Sequence, residues 1–219
     1  PLAIYPDRAN SKGFDFGDRK ELAKLVASLA KQKTDIEAKP LIPGASAFAL
    51  REDVRSPVDS KPVGVVLNAT TQNVSEAVNA ARKGFKAWSR MSVEERAKRL
   101  EKAADLLEAK RDHFLALLSR EAGKTMDDGV SEIREAVDFC RFYAREAVKS
   151  FGEPIALPGP TGEDNRLVHR GRGVFVCISP WNFPLAIFAG QVVAALAAGN
   201  AVLAKPAEQT PLVAHEMVK

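Results

Sequence analysis

The sequence predicts an α/β fold in which a helical N-terminal region leads into a parallel sheet. Three observations carry this. From Asn73 to Lys149 the apolar residues recur at helical spacing. Two short apolar runs, Gly173–Ile178 and Ala201–Ala204, flank an apolar segment of helical length. Between these regions Gly152, Pro154, Pro158, Gly159, Pro160 and Gly162 rule out continued helix.

In chain order, residues 1–17 read as irregular, and a first residue other than Met predicts a processed or cut start. Asp18–Lys33 reads as a helix with Leu22, Leu25, Val26 and Leu29 on one stripe. Residues 34–61 are rich in Pro and broken, with a short strand expected at Ala47–Leu50. Val63–Leu67 is rich in Val and predicts a strand. Asn73, with Glu76 three residues on, fits the cap of the next helix, whose inner face carries Val78, Ala81, Phe85 and Trp88. Ser92 and Glu95 form a second capping signature. One helix is expected from there to Gly123, with Leu100, Ala103, Ala104, Leu107, Phe114, Leu117 and Leu118 inward. A last long helix spans about Asp127–Lys149, with Ile133, Val137 and Tyr143 near one face. Trp88, Phe114 and Phe142 read as core. Ile155–Leu157 and Arg166–Arg170 predict the strands of an exposed hairpin or arm.

Gly173–Ile178 then reads as a buried parallel strand. Pro184 suits the first turn of a helix that runs to about Ala198, and Gly199-Asn200 is a helix stop. Strand, helix and strand make a crossover unit of a Rossmann-like sheet, in which ligands bind beyond the carboxyl ends of the strands. Asn182 follows the first strand and Lys205 ends the second. The expected divisions are 1–46, a linker with one helix; 47–152, helices and strand of a nucleotide-binding domain; 153–170, the hairpin; and 171–219, the strand–helix–strand unit.

Composition excludes several classes. The chain has 32 Lys+Arg against 28 Asp+Glu and a net charge of +4. These charges are mixed along the helices, so no nucleic-acid footprint is expected. Phe183–Ala198, interrupted by Pro184, Gly190 and Gln191, is too short to span a bilayer. The two cysteines, Cys140 and Cys177, lie in apolar patterns and read as buried and reduced, which predicts a cytoplasmic protein. His113, His169 and His215 lack metal-ligand spacing. Gly123-Lys124-Thr125 resembles the end of a phosphate-binding loop, but Leu118 stands where that loop needs Gly, and a helix precedes it.

The strand ends carry the chemistry. Asn182 offers two uncharged N–H donors that suit a carbonyl oxygen under nucleophilic attack. Spacing alone favours a plainer reading, a turn Asn capping the following helix. Lys205 and Glu208 together suit the hydroxyls of a ribose, and a carboxylate there would disfavour a 2′-phosphate. Spacing alone again favours the plainer reading, a surface ion pair.

Pro180-Trp-Asn-Phe-Pro184 and Lys205-Pro-Ala-Glu-Gln-Thr-Pro211 together resemble the aldehyde dehydrogenase superfamily. Glu121-Ala-Gly-Lys-Thr125 and Glu132-Ile-Arg-Glu-Ala-Val-Asp-Phe139 fit the same pattern. Ala9-Asn-Ser-Lys-Gly-Phe-Asp15, Arg134–Phe139 and Cys177–Phe188 bring the likeness closer to the dehydrogenase module of the bifunctional proline-utilisation (PutA) proteins. The resemblance covers almost the whole chain, most loosely at 34–61.

It implies NAD-dependent oxidation of L-glutamate γ-semialdehyde, the open form of pyrroline-5-carboxylate, to glutamate. By resemblance Asn182 supplies the oxyanion-hole amide. Ile178, Ser179, Pro180 and Trp181 line the NAD cleft, and Lys205 and Glu208 hold the adenosine ribose. Glu132 faces the substrate's ammonium group, Phe183 flanks its aliphatic chain, and Ile187 lies in the same pocket. The hairpin at 153–170 is implied to begin an oligomerisation arm, so a homo-oligomer is expected. A proline dehydrogenase domain with FAD is expected earlier in the same parent chain.

The family's pyrophosphate loop, general-base Glu and nucleophilic Cys are expected beyond Lys219. The segment alone is therefore expected to be inactive, and to fold poorly because its sheet has an unpaired edge. Two other readings stay open: a dehydrogenase for another aldehyde, and a non-catalytic assembly protein.

Overall fold

A computed structural model describes residues 4–219. Among the described residues seven helices and seven strands follow in chain order: α1 (Arg19–Leu29), β1 (Ile36–Ala38), β2 (Arg51–Arg55), β3 (Pro62–Leu67), α2 (Thr71–Trp88), α3 (Val93–Ala109), α4 (Arg111–Ala122), α5 (Met126–Phe151), β4 (Ile155–Leu157), β5 (Asn165–Leu167), β6 (Val174–Ile178), α6 (Ala186–Ala197), β7 (Ala201–Lys205) and α7 (Pro211–Val218). The mixed α/β architecture matches the expectation.

The strands form three small sheets. β3 lies between β1, parallel to it, and β2, antiparallel to it. β4 and β5 make the expected hairpin, with β5 at Asn165–Leu167 instead of 166–170. β6 and β7 pair in parallel, from Val174 opposite Ala201 to Ile178 opposite Lys205. Because β1 pairs with β3, residues on either side of position 46 share one sheet. α7 packs on β1 and β3, so the last helix closes against the first sheet.

The core is helical. α5 packs along α3, α4 and α6. Phe114, Leu115, Leu117 and Leu118 of α4 meet Val137 and Cys140 of α5 in one buried cluster that also takes in Leu185 and Leu212. Gly129 lets α4 and α5 approach, since a Cβ there would stand 2.5 Å from Leu115 Cδ1.

Several sequence expectations are corrected. The first helix ends at Leu29, and Val26 faces solvent while Leu25 is buried. The second strand is Arg51–Arg55, not Ala47–Leu50, and it is an edge strand whose charged residues tolerate water. Thr70, not Asn73, caps α2; Asn73 is its reciprocal partner, with Thr70 N–H donating to Asn73 Oδ1 at 2.9 Å. Ser92 caps α3 as expected, accepting from Glu95 N–H at 3.2 Å. The single helix expected up to Gly123 breaks at Lys110, whose φ of −96° and ψ of 17° leave the helical region. Gly123 ends α4 in the left-handed conformation. α6 begins at Ala186, two residues after Pro184. Phe142 is exposed, set edge-on against Tyr143. α7 had no sequence expectation.

β6 is the largest departure. Its apolar run predicted burial, yet Phe175, Val176 and Ile178 are exposed. In a two-stranded sheet each strand has a neighbour on one side only.

Candidate functional site

The carboxyl ends of β6 and β7 stand side by side. Ser179 N–H donates to the Lys205 carbonyl at 3.1 Å, one step past the final register pair. Residues 179–185 leave this edge as one loop and residues 206–210 as another.

In the first loop Ser179 is buried against β7, whereas Ile178, Trp181, Asn182 and Phe183 are exposed and Pro180 is half-buried. Pro184 and Leu185 are buried and anchor the loop to the core. Asn182 does not cap α6. The N–H groups of Leu185 and Ala186 donate to Glu132 Oε1 at 2.8 and 3.2 Å. The turn-capping alternative for Asn182 thus gives way, and its amide faces solvent at the strand edge. Ile187 is half-buried one helical turn past Phe183, to whose carbonyl its N–H donates at 3.3 Å.

In the second loop Lys205 Nζ donates to the Pro206 carbonyl at 2.9 Å and stands 3.8 Å from Glu208 Oε2. Glu208's own backbone N–H, and then the Lys205 charge, hold its carboxyl below the usual range. Both side chains are exposed, so donor and acceptor remain open to a diol.

Glu132 has a different setting from the one expected. It is 1% exposed, with one oxygen on the α6 N-terminus and the other 3.2 Å from Lys124 Nζ. Glu132 Oε2, which faces Lys124, has no hydrogen-bond partner among the described residues. The physical reason for the setting is that a fully buried carboxylate needs partners within the fold. Lys124 also lies 4.2 Å above the Phe183 ring.

The structure therefore brings Ile178–Phe183, Lys205 and Glu208 to one edge, and sets Glu132 beneath it. An open groove of about 600 Å³ runs along β6 and α6, lined by Phe175, Val176, Ile178, Gln191 and Ala194 among others. Of the expected cofactor residues only Ile178 lines it. Lys124 and Glu121 were not connected to the site by the sequence reading. Their signal was faint: a charged residue directly beside buried apolar helix.

Neither cysteine is an available nucleophile. Burial pushes the Cys140 thiol up to about 12 and raises that of Cys177 as well.

A parallel strand pair thus presents an amide and a Lys/Glu pair at its carboxyl edge. The profile of the aldehyde dehydrogenase family matches residues 46–219, and the chain belongs to that family. Among its relatives, the bifunctional protein PutA of Klebsiella aerogenes is 42% identical over 221 residues, covering 100% of this chain and 16% of that protein. The 1-pyrroline-5-carboxylate dehydrogenase of Geobacillus sp. (strain WCH70) is 36% identical over 222 residues, covering 100% of this chain and 41% of that one. The crystal structure of a Thermus 1-pyrroline-5-carboxylate dehydrogenase with bound NAD superposes with a TM-score of 0.89 at 31% identity, covering 99% of this chain and 43% of that one. The chain thus spans less than half the length of each of these relatives.

Proposed function

We propose that this chain is part of an NAD-dependent dehydrogenase that oxidises L-glutamate γ-semialdehyde to L-glutamate in the cytoplasm. The observation that carries the reading is the shared edge of β6 and β7, where Asn182 and the Lys205/Glu208 pair follow adjacent strand ends. The names of the relatives support the substrate, and the NAD-bound Thermus structure supports the cofactor.

The residues fit the cofactor. Lys205 offers donors and Glu208 an acceptor, 3.8 Å apart and open to solvent, which suits the two hydroxyls of an adenosine ribose. Ile178, Pro180 and Trp181 provide surface beside them, with Ser179 holding the loop to β7. NAD, when bound, would accept the hydride.

On the substrate side, Asn182 directs its amide at the aldehyde oxygen and stabilises the negative charge that develops there. Phe183 and Ile187 bound the aliphatic chain. Glu132 acts from beneath the pocket. Burial raises the thiols of both Cys140 and Cys177, which supports a nucleophile other than these two. On this reading the nucleophile comes from outside residues 1–219, and the segment alone is inactive. The arm at 153–170 joins subunits of a homo-oligomer. An FAD-bearing proline dehydrogenase domain belongs to the parent chain.

The test is NADH formation from a panel of aldehydes, using a chain that includes this segment and the rest of the family domain. Preference for the semialdehyde over simple aliphatic aldehydes is expected. Equal or better use of an aldehyde without a carboxylate would overturn the substrate assignment.

A further inference from the structure

Each loop at the site edge runs into a helix, and neither helix is capped by a side chain of its own. A helix N-terminus leaves N–H groups without partners and carries partial positive charge. A Ser, Thr, Asp or Asn at the first position would normally supply the acceptor. Here the acceptors come from far away in sequence, from the helical layer behind the loops.

Glu132 on α5 accepts from Leu185 and Ala186 N–H across 53 and 54 residues. Glu121 on α4, 3% exposed, accepts from Leu212 N–H at 2.7 Å and from Val213 N–H at 2.8 Å, across 91 and 92 residues. The two arrangements are parallel: one buried glutamate stands behind the loop of β6, the other behind the loop of β7. Glu132 also engages Lys124, which lies against Phe183, the neighbour of Asn182. Buried Thr210 and Pro211 link the Glu121 contacts back to Glu208.

We infer that Glu132 and Glu121 are positioning residues, Glu132 for the Asn182 loop and Glu121 for the Lys205–Glu208 loop. This rests on the aldehyde dehydrogenase reading of the edge. Glu132 with Lys124 fixes where the Asn182 amide points, so its loss falls on the chemical step. Glu121 fixes the ribose-binding pair, so its loss falls on NAD affinity. A buried glutamate that served only the stability of the fold would show no such division.

The experiment uses the enzyme chain that includes this segment, carrying E132Q or E121Q. Glutamine replaces one accepting oxygen by an NH₂ donor and leaves the volume unchanged. Amide exchange is followed for the peptides containing Leu185–Ala186 and Leu212–Val213. E132Q keeps one oxygen for the Leu185 and Ala186 N–H groups but turns an NH₂ donor against the Lys124 ammonium. The displaced side chain is expected to speed exchange in the first peptide alone and to lower kcat about 100-fold, the cost of a misplaced group, with the KM for NAD nearly unchanged. E121Q is expected to speed exchange in the second alone and to raise the KM for NAD about tenfold, the effect of one lost hydrogen bond, with kcat nearly unchanged. If E132Q does not fold, K124M/E132Q removes the stranded ammonium and carries the same expectation. Variants that loosen both peptides and shift kcat and KM together would overturn the assignment. A wild-type chain that oxidises no aldehyde, while the exchange split persists, would overturn the parent reading instead.

Discussion

Ile178 and Lys205 are register partners at the last rung of the β6–β7 pair. This relationship sets the geometry of the site, because everything that follows Ile178 leaves the sheet beside everything that follows Lys205. Glu208 is then three residues from the strand end and near the Lys205 ammonium.

The position of Glu208 predicts cofactor preference. A carboxylate beside the ribose repels a 2′-phosphate. Glu208→Gln should raise the ratio of NADP to NAD use about tenfold, the equivalent of ~1.4 kcal/mol. Steady-state kinetics with both cofactors would measure it. An unchanged ratio would move the ribose away from Glu208.

Glu121 predicts a pH dependence of stability. Burial pushes its carboxyl up to about 8, against the lowering effect of the Leu212 and Val213 N–H groups. The folded state therefore holds a proton that the unfolded chain releases. The contribution is fully present below about pH 4.5 and is lost as pH rises through about 8. Its upper bound is roughly 5 kcal/mol. Urea midpoints of the wild type should fall between about pH 5 and about pH 9, and Glu121→Gln should flatten that fall. Parallel pH profiles for the two proteins would contradict it.

The two thiols should be silent in the native state. Cys140 and Cys177 are both buried and both raised above the ordinary thiol range. A thiol reagent at about pH 8 should label neither while the chain is folded, and both after denaturation. Rapid labelling of Cys177 in the native chain would show that its thiol is reached through the groove it lines.

Gly64 predicts a packing limit. A Cβ there would lie 2.5 Å from the Ile36 carbonyl oxygen and 2.9 Å from Leu212 Cδ1. Gly64→Ala should cost about 1–3 kcal/mol, read as a lower urea midpoint. The loss arises where β3, β1 and α7 meet, so it should leave the β6–β7 pair intact.

What the sequence made legible was local. The β6–α6–β7 unit could be read because its apolar runs, Pro184 and the left-handed Gly199 are signals within a few residues of the features they cause. β2 was missed because Arg51-Glu-Asp-Val-Arg55 carries one buried residue, and an edge strand needs little more. The break at Lys110 has neither Gly nor Pro to mark it. Asn182, Lys205 and Glu208 could be placed at strand ends, and the fold adds that Lys205 and Glu208 form an exposed pair while Asn182 does not cap α6. Glu132 shows why spacing left this open. Its hydrogen-bond partners lie 53 and 54 residues away, and that contact both removes the capping role from Asn182 and gives Glu132 a setting the spacing could not reveal.

In the proposed function the edge of β6 and β7 works on an aldehyde through Asn182. The most direct measurement is the rate of NADH formation from L-glutamate γ-semialdehyde by the wild type and Asn182→Ala in a chain that contains the whole family domain. The expected result is a kcat lower by about 10²–10³, equivalent to ~2.7–4 kcal/mol of barrier, with little change in the KM for NAD. An Asn182→Ala enzyme that keeps the wild-type kcat would contradict it.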